Sequence, residues 1–439
     1  MNIVNEFVNK YIKGNEIFSR FIKIFSVDVL VRGANFFLIP VFLRIMSQEE
    51  YGTYGYLYSF STTMSAILCF GFYVALIKLY ADTISDKTKQ GSMLYTLSSS
   101  LFVLLILSMV IVYFWKIDVE FFSFLNKANS LGSNQYFLYR NFVFVATASM
   151  VLSTYLTFYL VSAEKIRGLQ TFNILRFLFT NLSAILVIYY SEGDAVFQRL
   201  AVTYSMEIIL TIAFSVIIYK NLVFKFSFFY LKKAFKLGLP ITASAIMYAV
   251  VNFGDKFFVT KYTGEKGMAI YYLGFLLATI VLIIYQSFNF VWNPLFMREK
   301  DLTVLRRKTN RYIWFIVFGL GFVGILIWIG AYVGLKINLI PVDYNLILKI
   351  LPFLIVSQIL SAMALLMINY MTYFEKTYIQ VFVGAGLSLI GYFLYDFLGE
   401  KLGVMGISIG IMLLNTIFFL FFYFRSQYYI NNRLKPMEQ

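Results

Sequence analysis

Six ionisable side chains fall inside apolar stretches of the chain: Asp28, Arg32, Arg176, Glu207, Asp255 and Lys256. An ionised group at mid-bilayer costs about 2.5–3.5 kcal/mol on insertion scales, so each needs a reason to be there. An arginine fork can bind phosphate oxygens through two parallel, charge-assisted hydrogen bonds. A carboxylate can take a proton or sodium ion, or simply neutralise a neighbouring cation. Gln286, Asn289 and Asn293 recur at roughly helical spacing. Their amides suit sugar hydroxyls, and equally suit hydrogen bonding between packed helices. Histidine is absent and Cys69 is the only cysteine. That excludes His-ligated metal sites, Ser-His-Asp and Cys-His catalysis and any intramolecular disulfide. Carboxylate chemistry remains.

The charges fall into groups. Asp28 and Arg32 are four residues apart and therefore share a helix face; they are either a phosphate-binding arginine steadied by an acid or a permanent structural ion pair. Arg176 reads as about one turn into its span, with Asn173 and Asn181 nearby, either receiving an anion at the cytoplasmic mouth or snorkelling to the interface. Adjacent Asp255 and Lys256 point about 100° apart on a helix. Asp255 binds a coupling ion or neutralises Lys256 or Lys261. Glu207, near mid-span, is either a functional carboxylate or the partner of a neighbouring helix.

What must position these groups is a membrane-embedded scaffold. Of 439 residues, 60% are hydrophobic and 13% charged, about half the charge fraction of a soluble chain. Apolar runs near the ~20 residues a spanning helix requires predict twelve transmembrane helices. They lie at 21–44, 54–77, 93–115, 137–161, 171–190, 200–219, 237–259, 270–291, 312–333, 346–370, 378–398 and 404–424. The predicted fold is all-α, with six-helix bundles at 1–219 and 237–425, a linker at 220–236 and a tail at 426–439. Lys and Arg collect in the segments that this count puts on one side, which the positive-inside rule makes cytoplasmic, with both termini there. This distribution, and not nucleic-acid binding, accounts for the net charge of +15. No cleavable signal peptide is expected before the first span. The largest outer loop, Lys116 to Tyr136, is too short for a folded extracytoplasmic enzyme domain. No phosphate-binding GxxxxGK[ST] loop signals an ATP motor. The linker KNLVFKFSFFYLKKAFK intersperses phenylalanines with lysines; it suits a basic amphipathic helix gripping anionic lipid, or an ordinary cytoplasmic loop. Pro40 and Pro352 are expected to kink their spans, and Gly406 and Gly410 to permit close helix packing.

The halves also resemble each other. SQEEYGTYGYLYSF from Ser47 lies against GEKGMAIYYLGFLL from Gly264, an offset of 217 residues that also sets Asn35 against Asn252. Two related bundles in parallel order imply a pseudo-twofold axis along the membrane normal and a cleft that opens alternately to either face.

Four segments carry a family resemblance: NFFLIPVFLRIMSQEEYGTYGYL, NFGDKFFVTKYTGEKGMAIYYLGF, SFNFVWNPLFMREK and GEKLGVMGISIGIMLLNTI. In their order and spacing the chain resembles the O-antigen-type oligosaccharide flippases of the multidrug/oligosaccharidyl-lipid/polysaccharide exporter superfamily. The resemblance implies two six-helix bundles around a central cavity in a bacterial inner membrane. It implies a polyprenyl-pyrophosphate-linked glycan as substrate, no enzyme activity, no cofactor beyond a coupling H+ or Na+, and service to lipopolysaccharide biosynthesis beside a glycan polymerase and chain-length machinery. On this reading Arg32, Arg176, Asp28, Asn289 and Gln286 line the cavity, and Asp255 and Glu207 are the ion-coupling candidates. A cation-coupled exporter of small solutes with the same design is the alternative.

Overall fold

A computed structural model describes residues 38–120, 133–374, 376 and 378–434. Asp28, Arg32 and Asn35 lie outside them. Helix 38–45 ends the first expected span, and each later span has its helix. These are α1 (Gln48–Leu68) and α2 (Phe72–Thr83), bent by 44° into one crossing, then α3 (Lys87–Phe114), α4 (Ser133–Ser162), α5 (Ile166–Tyr190) and α6 (Ala195–Tyr219). The second half comprises α7 (Phe228–Met247), α8 (Ala249–Arg298), α9 (Leu302–Lys336), α10 (Ile347–Tyr373) and α11 (Tyr378–Leu434). Four helix starts are set by short polar side chains. Ser47 and Glu50 form a reciprocal capping box on α1, and Asp86, Asp194 and Asp301 accept backbone N–H groups of α3, α6 and α9. Each such cap stabilises its helix by about 1 kcal/mol.

α8 and α11 are each two spans joined by a sharp reversal. In α8, Tyr271 donates to Asp255 Oδ2 at 2.6 Å although 16 residues separate them. A straight helix would hold them about 24 Å apart. The reversals sit at Gly264 (φ 66°) and Gly403 (φ 56°), backbone conformations that cost a side chain-bearing residue. Beyond Gly403, a Cβ on Gly406 would fall 2.0 Å from Leu398 O. The expected close packing at Gly406 and Gly410 is therefore between the two arms of α11. Pro352 lies within the single helix α10; the breaks in the chain's helices fall at the 69–71 bend, at Tyr248 and at the two glycines instead.

The lipid-facing surface is apolar along the helices. Tyr189 and Tyr190 at one end, and Phe228 and Phe229 at the other, are exposed where headgroups would lie. We call the end carrying residues 47, 191–194, 264 and 403 the turn end, and that carrying 163–165, 220–227 and 299–301 the linker end.

The linker departs from one amphipathic helix. Residues 222–227 run extended across the start of α3, where Ser92 Oγ donates to Lys225 O at 2.6 Å and Ser227 N–H donates to Thr96 Oγ1 at 3.0 Å. Helix resumes at Phe228, so FFYLKKAFK forms the first turns of the seventh span. Tyr230 and Ala234 bury themselves in the core of the amino-terminal half, with Phe72, Leu94 and Phe172.

Candidate functional site

The two halves meet most closely at the turn end. α1 crosses α8 beyond Gly264, and residues related by the 217-residue offset touch. Lys266 Nζ lies 3.0 Å from Glu49 Oε1. A Cβ on Gly52 would fall 2.9 Å from Ala269 N and 2.0 Å from Glu265 O, and one on Gly55 would fall 2.5 Å from the Tyr272 ring. Contact between equivalents is what a pseudo-twofold axis through this seam produces. Around it, Arg44 donates to Asn338 O at 3.1 Å, and Tyr51 packs between Tyr272 and Tyr344, with ring centroids 5.6 and 6.5 Å away. At the linker end the carboxy-terminal half meets the other through the first turns of α7. Among the described residues, no hydrogen bond, ion pair or ring contact joins the stretch from Gln286 to Met297 to the amino-terminal half.

Below the seam sits the pair Arg176–Glu207. α5 begins at Ile166, a turn earlier than the apolar run. Arg176 is therefore about 15 Å along a helix of 25 residues, in mid-span and not at its mouth. Glu207 is at the middle of α6. Arg176 Nη2 lies 2.5 Å from Glu207 Oε1, with side-chain exposures of 36% and 3%. The contact is a charge pair off the N–H axis: no aligned hydrogen bond from the Arg176 guanidinium forms among the described residues, and Glu207 Oε1 accepts none. Tyr58 neighbours both charges, and Tyr204 neighbours Glu207, Tyr58 and Tyr272 of the opposite half. Asn181, expected to stand with Arg176, donates to Phe177 O in its own helix.

Asp255 and Lys256 are organised differently. Although successive on α8, they bond each other, Lys256 Nζ to Asp255 Oδ2 at 2.8 Å, with exposures of 4% and 0%. Tyr271 donates to the same oxygen, and the ammonium lies 3.7 Å from the Phe275 ring centroid. This charge is neutralised inside the carboxy-terminal half. Lys261 pairs instead with Asp396 at 2.6 Å.

The amides separate. Gln286 is exposed, whereas Asn289 Oδ1 accepts from Asn369 Nδ2 at 3.1 Å and so joins α8 to α10. Asn293 Oδ1 is buried without a partner. At the linker end, Lys308 lies 2.8 Å from Glu299, and its hydrogen bond holds that carboxyl below the usual range, so it stays charged at neutral pH.

Two charged residues escaped the sequence reading. Arg140 makes a bidentate, buried pair with Asp118, at 2.7 and 2.9 Å, and also donates to Tyr113 O. This pair ties α4 to the end of α3. Arg199, one turn into α6, lies over the Phe42 and Tyr54 rings at 3.6 and 3.7 Å. Its signal was present: an arginine five residues past the helix-capping Asp194.

Apolar cavities of about 170 Å³, lined by Phe60, Met64, Met109 and Phe144 among others, and about 200 Å³, lined by Tyr285, Phe288 and Phe315 among others, lie within the separate halves. Asp118 lines the first, and neither is lined by Arg176, Glu207, Asp255 or Lys256. Among the described residues no cluster of carboxylates and cysteine could hold a metal.

Comparison with solved structures places the fold. An inward-facing multidrug resistance MATE family transporter of the MOP superfamily superposes with a TM-score of 0.67 at 14% identity, covering 93% of this chain and 99% of that one. Its outward-facing counterpart gives 0.64 at 14% identity, with 94% and 96% covered. A MOP superfamily transporter from Pyrococcus furiosus, whose binding pocket of reverse polarity suggests a different function, gives 0.60 at 14% identity, with 94% of each chain covered. The fold is thus the twelve-helix, two-bundle architecture of these transporters. No curated protein matches the sequence. Residues 19–300 match the family described as polysaccharide biosynthesis protein, and the chain belongs to that family as a multi-pass membrane protein.

Proposed function

We propose that the protein is a flippase that carries polyprenyl-pyrophosphate-linked oligosaccharide units across the bacterial inner membrane, from the cytoplasmic to the outer face, by alternating access. Arg176 carries this reading. It is a mid-membrane cation, one-third exposed, that keeps its N–H groups free of aligned bonds while a buried carboxylate balances its charge. Such a guanidinium can donate to two phosphate oxygens through the N–H groups that the Glu207 contact leaves unused. The family description and the fold agree with transport in polysaccharide synthesis.

The physical problem fits the arrangement. A sugar hydroxyl stripped of partners in hydrocarbon costs roughly 4–8 kcal/mol, and an oligosaccharide carries many. A polar cleft between the bundles replaces those partners while the prenyl tail stays in lipid. The basic linker end faces the cytoplasm under the positive-inside rule, so the conformation described receives substrate from inside. Parting of the Glu49–Lys266 seam releases it outside. Arg32, steadied by Asp28, is a further cation of the cleft, and Gln286 a sugar-hydroxyl partner. Asn289 supports α8 through Asn369. A coupling proton or sodium ion is taken at Glu207 once substrate phosphate has drawn Arg176 from it, whereas Asp255 keeps the sealed Lys256 ammonium. Catalysis plays no part, and a glycan polymerase with its chain-length machinery receives the product.

The test is to delete the protein and locate lipid-linked repeat units. Their accumulation on the cytoplasmic leaflet is expected; an unchanged distribution would refute the reading. The MATE fold favours one second reading, export of cationic solutes. Cationic-dye efflux that persists in Arg176→Gln would select it.

A further inference from the structure

Arg199, half-buried one turn into α6, stands apart from the cations described above. The carboxylates around it are committed elsewhere: Asp194 Oδ1 accepts Val196 N–H and Phe197 N–H while its Oδ2 takes the Tyr139 hydroxyl, and Glu50 accepts Ala195 N–H and Ser47 N–H. Among the described residues Arg199 forms no ion pair. Its guanidinium rests on the Phe42 and Tyr54 faces, with the Tyr51 ring centroid at 5.9 Å and Met46 Sδ at 3.4 Å. Ring faces attract a cation without neutralising it, and desolvation strengthens its hold on any anion that arrives. Arg199 lies eight residues, about 12 Å, along α6 from Glu207 toward the turn end. Tyr51, which touches it, also packs against Tyr272 across the seam. Tyr51 thus links Arg199 to the seam that Tyr272 helps to close.

We infer that Arg199 is a second anion site of the cleft, which takes the pyrophosphate head of a prenyl-linked substrate once the turn-end seam has parted. The substrate head then has two stations, Arg176 at mid-membrane and Arg199 on the exit side, the second half-buried against Phe42 and Tyr54 while the seam is closed. This rests on the flippase reading, and the experiment separates the two.

Binding of geranylgeranyl pyrophosphate is measured to the full-length chain in lipid nanodiscs. It is measured with the seam intact and with the seam wedged by Gly52→Leu, whose added side chain meets Glu265 O. Gly55→Ala, whose smaller added methyl meets the Tyr272 ring, opens the seam independently should the wedge prevent folding. With the seam opened, Arg199→Gln should weaken binding about tenfold or more, whereas with it intact the change stays below about twofold. Inorganic pyrophosphate should compete at the opened site. Arg176→Gln should weaken binding with the seam intact. If it does and Arg199→Gln has no effect in either opened background, the second station is wrong and the flippase reading stands. If neither arginine matters in any background, both fall. A purely structural Arg199 would lower thermal stability equally with and without probe, leave affinity unchanged and overturn the inference.

Discussion

Two of the buried ion pairs, Arg176–Glu207 and Asp255–Lys256, use the same chemistry in opposite ways. Arg176–Glu207 joins two helices, leaves its arginine one-third exposed and places no aligned hydrogen bond between the partners. Asp255–Lys256 is formed within one helix, is sealed to 0% and 4% exposure, and is braced by Tyr271 and Phe275. A sealed pair needs its partner for stability, since removing one member strands a buried charge at a cost of about 3–5 kcal/mol. A half-open pair can exchange its partner for a substrate anion. The amino-terminal pair is accordingly suited to transport and the carboxy-terminal pair to holding the hairpin at Gly264.

The sharpest way to break this contrast is to replace each pair as a unit. Arg176→Gln with Glu207→Gln removes both charges without stranding either. It should reduce transport of lipid-linked glycan about 100-fold while the protein remains folded, as read by vesicle flipping and thermal unfolding. Asp255→Leu with Lys256→Met should leave transport within about threefold of the parent and preserve or raise stability. The single change Asp255→Asn should instead destabilise by about 3–5 kcal/mol, seen as loss of folded protein in detergent. Gly52→Leu should hold the seam apart, abolish cross-linking between cysteines placed at 49 and 266, and slow transport about tenfold. Ser47→Ala removes half of the capping box and should cost about 1 kcal/mol with little change in rate.

These contrasts were unevenly legible in the sequence. Apolar runs predicted where each span lies because burial in hydrocarbon is a composition signal. The start of α5 was not, because its first turn contains Arg167 and Gln170 yet continues the helix beyond the apolar run; that displaced Arg176 from mid-span to the mouth. The sixth span was read from Leu200, which left Arg199 just outside, although only the neighbouring rings of Phe42 and Tyr54 distinguish it from an ordinary interfacial arginine. The pair between Asp255 and Lys256 was one of the alternatives the sequence offered, and it forms despite their 100° separation because the flexible lysine stem spans it. The linker's lysines and phenylalanines suit an amphipathic helix, but the hydroxyls of Ser92 and Thr96 offer its backbone partners that favour an extended path. The 217-residue repeat was legible as a weak pattern, and the contact of Glu49 with Lys266 shows its equivalent positions as neighbours.

The most direct measurement is transfer of a lipid-linked oligosaccharide between leaflets of proteoliposomes containing only this protein, scored by its exposure to an added glycosidase. The wild-type chain should bring the substrate to the far leaflet, and the Arg176→Gln/Glu207→Gln protein should match empty vesicles. Equal transfer by both proteins would contradict the role given to the half-open pair.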